Sequence, residues 1–199
     1  MSYNYSEFKK KKKDNFKPGM PPPDNPIPSG MIKELTQMTG AEYYIHEYKN
    51  MDGQICFYVR RNEDKYKGKN FLPMSYDPEK KTWVQKAWPG DRPLFREQRL
   101  KGSDKPVLVV EGEKSVMAGE DNHIFSDYNI VCWSGGSNQV HLTNYQHLKD
   151  KHITLWPDND SNGEEAMIEL AINLLDNNIT EHIKIINPDP MGMIPKGWD

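Results

Sequence analysis

The strongest constraint on the fold is a rhythm in the second half of the sequence, where short apolar runs alternate with helix-forming stretches. The apolar runs are residues 106–110, 129–133, 152–156 and 183–186. Runs this short and continuous are typical of strands that are buried on both faces. The stretches between them that suit helices are residues 113–119, 143–149 and 163–175. The alternation predicts an α/β fold, in which a parallel sheet is flanked by helices on each side.

The first half has a different pattern, with β-branched and aromatic residues between turn signals. Tyr43 and Ile45 precede the turn-forming segment 50–53, and Ile55–Val59 follow it, which predicts a hairpin. Further strands are expected at residues 71–75 and 82–87, on either side of a turn at residues 77–80. With a short helix at residues 31–40, these elements predict a small, mostly β N-terminal lobe over residues 31–104.

Basic and aromatic residues are interleaved along this predicted meander. The basic residues are Arg60, Arg61, Lys65, Lys67, Lys69, Lys80, Lys81 and Lys86, and the aromatic ones are Tyr58, Tyr66, Tyr76, Trp83 and Trp88. Surfaces that bind single-stranded nucleic acid combine these two residue types. A solvated sheet face has the same sequence pattern, so both interpretations stay open.

Residues 1–30 have the composition of a disordered arm. The run Lys9–Lys13 places five like charges side by side, and six prolines follow between Pro18 and Pro28. Such a segment cannot build a packed helix or sheet. The lysines serve either as a solubilising tether or as an arm that attracts nucleic acid.

Composition excludes several classes of protein. No apolar run approaches the roughly 20 residues that a membrane-spanning helix needs, and the lysine-rich N-terminus lacks the apolar core of a secretory signal. Cys56 and Cys132 are far apart and have no CxxC partner, which rules out a zinc site built from cysteines. We therefore expect a cytoplasmic protein that makes no membrane contact. The net charge of −3 does not by itself indicate a nucleic-acid partner.

Acidic residues and glycines follow three of the predicted parallel strands. These segments are Glu111-Gly112-Glu113-Lys114, Ser134-Gly135-Gly136 and Pro157-Asp158-Asn159-Asp160. Ligands of such sheets bind at the carboxyl ends of the strands, so Glu111, Asp158 and Asp160 are expected to converge there. Crowded carboxylates repel one another unless a hard cation neutralises them, which favours Mg²⁺ or Mn²⁺. Alternatively, Asp160 caps the helix that begins near residue 163.

The order of these motifs resembles the TOPRIM fold of bacterial-type primases, topoisomerases and several nucleases. The resemblance covers about residues 105–187, which lie within the predicted TOPRIM domain, residues 105–199. The segments Val107–Lys114 and Leu155–Asp160 are most similar to the DNA primase-like proteins of phages, plasmids and other mobile elements. Arg92-Pro93-Leu94-Phe95 and the closing Pro195–Asp199 fit the same group. Relatives normally continue beyond residue 199, so the resemblance implies a domain that is incomplete at its C-terminus.

The resemblance also implies a function and a set of site residues. It assigns Glu111, Asp158 and Asp160 to catalysis and Mg²⁺ binding, and Gly112, Lys114, Gly135 and Gly136 to phosphate or substrate binding. The implied reaction is nucleotidyl transfer on single-stranded DNA from nucleoside triphosphates. The sequence contains no cysteine-rich zinc module and no helicase segment, so a separate replicative helicase is an expected partner. The alternatives are a TOPRIM nuclease and a nucleic-acid-binding module without catalytic activity.

Overall fold

The computed structural model describes residues 16–22, 27, 42–64 and 68–193. Most of the described residues belong to two four-stranded sheets and the elements packed on them. The predicted helix at residues 31–40 and the lysine run at residues 9–13 lie outside the described residues. None of the helices in the described ranges has the length and apolar character needed to cross a membrane.

The N-terminal lobe is an antiparallel meander. Its strands are β1 (Glu42–Lys49), β2 (Ile55–Asp64), β3 (Gly68–Asp77) and β4 (Thr82–Val84), in that spatial order. Asn50 closes the first turn, because its Oδ1 accepts hydrogen bonds from the backbone N–H groups of Asp52 and Gln54. Gly53 supplies the positive φ of +77° that the turn requires. The predicted meander is therefore confirmed.

Both faces of the meander are covered by apolar packing. On one face, Tyr58, Met74, Tyr76 and Trp83 form a cluster with Ile27. On the other face, side chains of β1 and β2 join a second cluster that includes residues of the parallel sheet. Its buried members are Tyr48, Cys56, Phe57, Val59, Phe95, Leu108, Val110, Val116, Ile130 and Cys132. The two lobes therefore share this second hydrophobic cluster.

Part of the N-terminal arm is ordered, contrary to the prediction for residues 1–30. The backbone N–H of Gly19 donates to the carbonyl of Tyr76 at 3.0 Å, and Ile27 is only 7% exposed. The Lys86 ammonium lies 4.9 Å from the centre of the Phe16 ring. A proline-rich segment has little secondary structure of its own, but it can still pair with a strand and bury an isolated apolar side chain.

The C-terminal lobe is a parallel sheet. Its strands are β5 (Val107–Val110), β6 (Asn129–Cys132), β7 (Ile153–Leu155) and β8 (Ile183–Ile185), in the spatial order β6-β5-β7-β8. All three pairings are parallel. Helix α1 (Glu113–Asp121) follows β5, and helix α2 (Ser161–Asp176) follows β7. The predicted α/β architecture is confirmed.

The two helices cover opposite faces of this sheet. Successive residues of β5 point to opposite sides, so Val107 and Val109 belong to the cluster that contains Met167 and Leu170 of α2. Leu108 and Val110 instead share a cluster with Val116 of α1. The strand is buried on both faces, which explains why its sequence is continuously apolar.

The prediction of a helix over residues 143–149 is wrong. Two short 3-10 helices occupy this region, at Ser137–Leu142 and Gln146–Leu148. Between them the chain is extended, because the Arg92 N–H donates to the Leu142 carbonyl and the Asn144 N–H donates to the Arg92 carbonyl. This long-range pairing with residue 92 replaces the local helical bonds.

Residues 92–100 pack on the parallel sheet, although the sequence assigned them to the N-terminal lobe. Leu94 and Leu100 are buried in the cluster on the α2 side, and Phe95 is buried in the cluster on the α1 side. The Phe95 N–H also donates to the Cys132 carbonyl at 2.8 Å. This segment therefore extends the C-terminal lobe toward the meander.

Candidate active-site cleft

A cleft of about 370 Å³ lies between the carboxyl ends of the parallel strands and the adjacent face of the meander. Acidic residues from the sheet edge line one wall, and basic residues of β2 and β3 line the other. We call this space the inter-lobe cleft. The charged residues that line it are Glu111, Glu113, Asp158, Arg61, Lys69 and Arg92.

Glu111 and Asp158 are held together at the sheet edge. Glu111 directly follows β5, and its Oε1 accepts a 3.0 Å hydrogen bond from the backbone N–H of Asp158, which lies beyond the end of β7. Gly163, in the first turn of α2, packs against both residues. A Cβ at this position would overlap the Glu111 carboxylate and the Asp158 backbone. The glycine therefore lets the helix approach the acidic pair closely.

Asp160 has a structural contact of its own. It is exposed and forms the N-cap of α2, where its Oδ1 accepts from the Gly163 N–H at 2.8 Å. It is not among the residues that line the inter-lobe cleft. Within the described ranges, no group of three or more His, Cys, Asp or Glu residues is placed to hold a metal ion. The structure thus brings two of the three predicted acids into the cleft and gives the third a capping bond.

The predicted phosphate-binding residues divide in the same way. Gly112, Gly135 and Gly136 all line the cleft. Gly135 and Gly136 have φ values of +97° and +75°, a conformation that side chains with a Cβ rarely adopt. Lys114 lies outside the lining, because its ammonium pairs with Glu63 at 3.1 Å. This ion pair connects the start of α1 to β2.

Sequence reasoning missed Glu113 as a cleft residue. Its side chain is 5% exposed, and Oε1 accepts a 2.6 Å hydrogen bond from the hydroxyl of the fully buried Tyr48. Burial, together with the adjacent Glu113, raises the pKa of the Tyr48 phenol well above its usual value, so the hydroxyl remains a donor. The motif Glu111-Gly112-Glu113 contained the residue, but nothing in the sequence indicated its partner on β1.

Arg92 is the second missed residue. It is 6% exposed and lines the cleft beside the turn at Gly135 and Gly136. Burial lowers the pKa of its guanidinium. The segment Arg92-Pro93-Leu94-Phe95 was part of the resemblance, but its sequence does not reveal that the side chain enters the cleft.

The interleaved basic and aromatic residues of the meander have mixed environments. Tyr58, Tyr76 and Trp83 are buried core residues, so they belong neither to a nucleic-acid surface nor to a solvated sheet face. Facing the cleft, the Arg61 guanidinium lies 5.6 Å from the centre of the Phe71 ring, and Phe71 is 46% exposed. The ring of Trp88, another lining residue, is 5.9 Å from that of Phe57. These contacts form a wall with both basic and aromatic character.

No protein family and no curated protein matches the chain in sequence. Solved structures do match it. A chain of the structure of the bacteriophage T7 lagging-strand DNA polymerase with primase domains of two gp4 subunits, bound to an RNA/DNA hybrid and dTTP, has a TM-score of 0.54 at 20% identity. That match covers 85% of this chain and 80% of the other.

Two further structures are similar. The primase fragment of the bacteriophage T7 primase-helicase protein has a TM-score of 0.50 at 21% identity, over 76% of this chain and 56% of that one. A DNA primase domain from Pseudomonas aeruginosa has a TM-score of 0.51 at 18% identity, over 78% of this chain and 44% of that one. The present chain thus spans about half the length of these two proteins. The likeness establishes a DNA primase-like α/β fold, as the sequence resemblance predicted.

Proposed function

We propose that this chain is the metal-dependent nucleotidyl-transfer domain of a DNA primase-like replication protein that acts on single-stranded DNA. The observation that carries the proposal is the inter-lobe cleft, in which the bonded pair Glu111 and Asp158 faces Arg61 and Lys69. A cleft with an acidic and a basic wall suits a ligand that has both a cation and phosphates. A nucleoside triphosphate with its Mg²⁺ is such a ligand.

The carboxylates of the cleft fit Mg²⁺ or Mn²⁺. Mg²⁺ takes oxygen ligands and is usually bound through one or two carboxylates, with water and substrate phosphates completing its shell. Glu111 and Asp158 would supply these carboxylates, and Asp160 lies two residues beyond Asp158. When bound, the cation would stabilise the charge that develops on the transferred phosphoryl group.

The other residues of the cleft would bind and orient the substrates. Lys69 would attract phosphates of the nucleotide or of the template strand, and Arg61 would do so in competition with its ion pair to Glu63. Phe71 and Trp88 would stack with bases, which does not require a particular sequence. Glu111 would either share the metal or act as the general base that accepts the proton of the attacking 3′-hydroxyl. A separate replicative helicase is a proposed partner, since one of the similar structures comes from a primase-helicase protein.

A primer-synthesis assay tests the proposal. Wild-type protein is incubated with a single-stranded template, labelled nucleoside triphosphates and Mg²⁺, and we expect extended products. Glu111→Gln and Asp158→Asn should abolish them. Glu164→Gln, an exposed change on α2 outside the cleft lining, should not. DNA shortening instead of synthesis would identify the alternative, a TOPRIM nuclease.

A second candidate is a nucleic-acid-binding module without catalysis. It is favoured by the capping bond of Asp160 and by the lack of a three-residue metal-ligating group in the described ranges. Such a module would neither extend nor shorten DNA in Mg²⁺ or Mn²⁺, but would bind single strands. The same assay, with a binding measurement on the same template, separates this candidate from the first.

A further inference from the structure

The guanidinium of Arg92 is a buried cation whose recorded partners are all uncharged. Nε donates to the Trp88 carbonyl at 2.8 Å, and Nη1 donates to Gln139 Oε1 at 2.5 Å and to Ser134 at 3.3 Å. Across the described part of the chain, no carboxylate forms an ion pair with this residue, and each recorded hydrogen bond uses Nε or Nη1. Nη2 is therefore available to a ligand in the cleft.

Burying a charge without a counter-ion is costly, so such groups are normally paired. Arg92 is 6% exposed and borders the inter-lobe cleft, where an anion can reach it. Neutral acceptors on three residues fix the plane of the guanidinium, so the side chain loses little further freedom when it binds a ligand. A buried cation that is fixed in position and has no counter-ion is suited to bind an oxyanion.

Gly135 makes this arrangement possible. A Cβ at residue 135 would overlap the amide of Gln139 and would approach Nη1 of Arg92 to 3.2 Å. The next residue, Gly136, has nothing within 4 Å of its Cβ position, so the space beside the turn is open. The turn therefore packs the arginine closely on one side and leaves room for a ligand on the other.

We propose that Arg92, held by Gln139 and the turn at Gly135 and Gly136, is a binding site for a phosphate group in the inter-lobe cleft. The planar guanidinium fork matches phosphate oxygens, and hydrogen bonds between two charged groups are stronger than neutral ones. This deepens the proposed function, because it rests on the cleft being the nucleotide site. The site takes either a phosphate of the nucleoside triphosphate or a phosphodiester of the template.

The decisive variant is Gln139→Glu, which changes the charge but hardly the shape of the side chain. The new carboxylate would pair with Nη1 of Arg92 and neutralise the positive charge that attracts the phosphate. We expect the melting temperature to rise while the affinity for inorganic tripolyphosphate falls at least about tenfold. Titration calorimetry without divalent cations measures the binding independently of Glu111 and Asp158. Gln146→Glu, an exposed control outside the cleft, should change neither quantity.

Removing the cation is the complementary test. Arg92→Met should weaken tripolyphosphate binding by a similar factor. Arg99→Met removes the same charge from a half-exposed side chain that pairs with Glu120 outside the cleft, and it should leave the affinity within about twofold. Arg92→Met also removes buried hydrogen bonds, so its affinity is interpreted only if the variant unfolds cooperatively, which shows that it is folded. If it does not fold, Gln139→Glu decides alone.

Two ligand arms distinguish the sources of the phosphate. If the phosphate belongs to the nucleotide, Gln139→Glu weakens the binding of Mg-ATP and of tripolyphosphate but leaves the binding of a short oligothymidylate unchanged. If the phosphate belongs to the template, the affinity for the oligothymidylate falls most, and that affinity becomes less dependent on salt concentration. Unchanged affinity for all three ligands would overturn the site. A decrease in both the melting temperature and the affinity would show that Gln139 has a structural role, and this outcome would also count against the phosphate site.

Failure of the phosphate site can be distinguished from failure of the proposed nucleotidyl transfer. A protein that synthesises no primers but binds tripolyphosphate through Arg92 would contradict the proposed function alone. A protein that synthesises primers with affinities insensitive to both variants would contradict the phosphate site alone.

Discussion

The hydroxyl of Tyr48 on β1 donates a 2.6 Å hydrogen bond to Oε1 of Glu113 in the first turn of α1. The bond joins the antiparallel lobe to the edge of the parallel sheet, across 65 residues of sequence. Both side chains are buried, at 0% and 5% exposure. The position of α1 relative to the meander therefore depends on a contact whose acidic member, Glu113, lines the cleft.

Tyr48→Phe should lower the free energy of unfolding by about 1–3 kcal/mol, because it leaves a buried carboxylate without its donor. Urea denaturation followed by fluorescence measures the change. Tyr58→Phe is the matched control, since Tyr58 is buried at 5% exposure in the other cluster and its hydroxyl has no recorded hydrogen bond in the described part. In a Glu113→Gln background the effect should be smaller, because an unpaired amide costs less than an unpaired carboxylate. Equal losses in both backgrounds would contradict this account.

The double role assigned to Asp160 can be separated by two substitutions. Asp160→Ala removes the N-cap of α2 and should cost about 1 kcal/mol of unfolding free energy. Asp160→Asn keeps a good capping side chain and should cost only a few tenths of that. If Asp160 also holds the metal, as the sequence resemblance implies, Asp160→Asn abolishes Mg²⁺-dependent primer synthesis. Full activity in this stable variant would leave the residue with capping alone.

These cases show how far the sequence could predict the fold and the candidate site. The parallel strands were predictable because strands buried on both faces, such as β5, are continuously apolar. Glu111 and Asp158 were predictable because the carboxyl ends of such strands share one edge. Asp160 could not be assigned in advance, because an Asp one residue before a helix serves equally as ligand and as cap.

Other features depend on contacts between distant residues. The extended backbone at Thr143 arises from the pairing of its neighbours with Arg92, and that pairing also brings the guanidinium to the cleft. Local periodicity carries no signal for either outcome. The bond between Tyr48 and Glu113 is another contact of this kind, since neither residue indicates the other in sequence.

The ordered part of the N-terminal arm leads to a stability prediction. Ile27→Ala should lower the unfolding free energy by about 2 kcal/mol, because it leaves a void in the cluster of Tyr58, Met74 and Trp83. The matched control is Ile124→Ala, at a side chain that is 80% exposed, and it should stay within about 0.5 kcal/mol of wild type. Deleting residues 1–30 should therefore lower the melting temperature, contrary to what a fully disordered arm would give. Equal stabilities of the two alanine variants would refute the packing of Ile27.

The two cysteines should be unreactive in the folded protein. Both are buried, and burial raises the pKa of the Cys56 thiol to about 12. Burial also raises the pKa of the Cys132 thiol well above its ordinary value. Because the thiolate is the reactive form, labelling by a disulfide reagent at pH 8 should be slow and limited by unfolding. Urea should bring both residues to the rate of a free thiol. Rapid labelling without denaturant would show that the hydrophobic cluster shared by the two lobes opens readily.

The last prediction concerns the cation on which the proposed reaction depends. Glu111 and Asp158 meet only in the folded protein, so a divalent cation that they bind should stabilise it by mass action. Mg²⁺ alone should bind weakly, because substrate phosphates normally complete its shell. Mn²⁺ should bind somewhat more tightly at the same oxygens. Mg-ATP should therefore raise the melting temperature more than Mg²⁺ or ATP alone. In Glu111→Gln the extra stabilisation should be lost, whereas Glu164→Gln should retain it. A thermal shift series over these four conditions makes the measurement, and a flat response in every protein would mean that the cleft binds no metal–nucleotide complex.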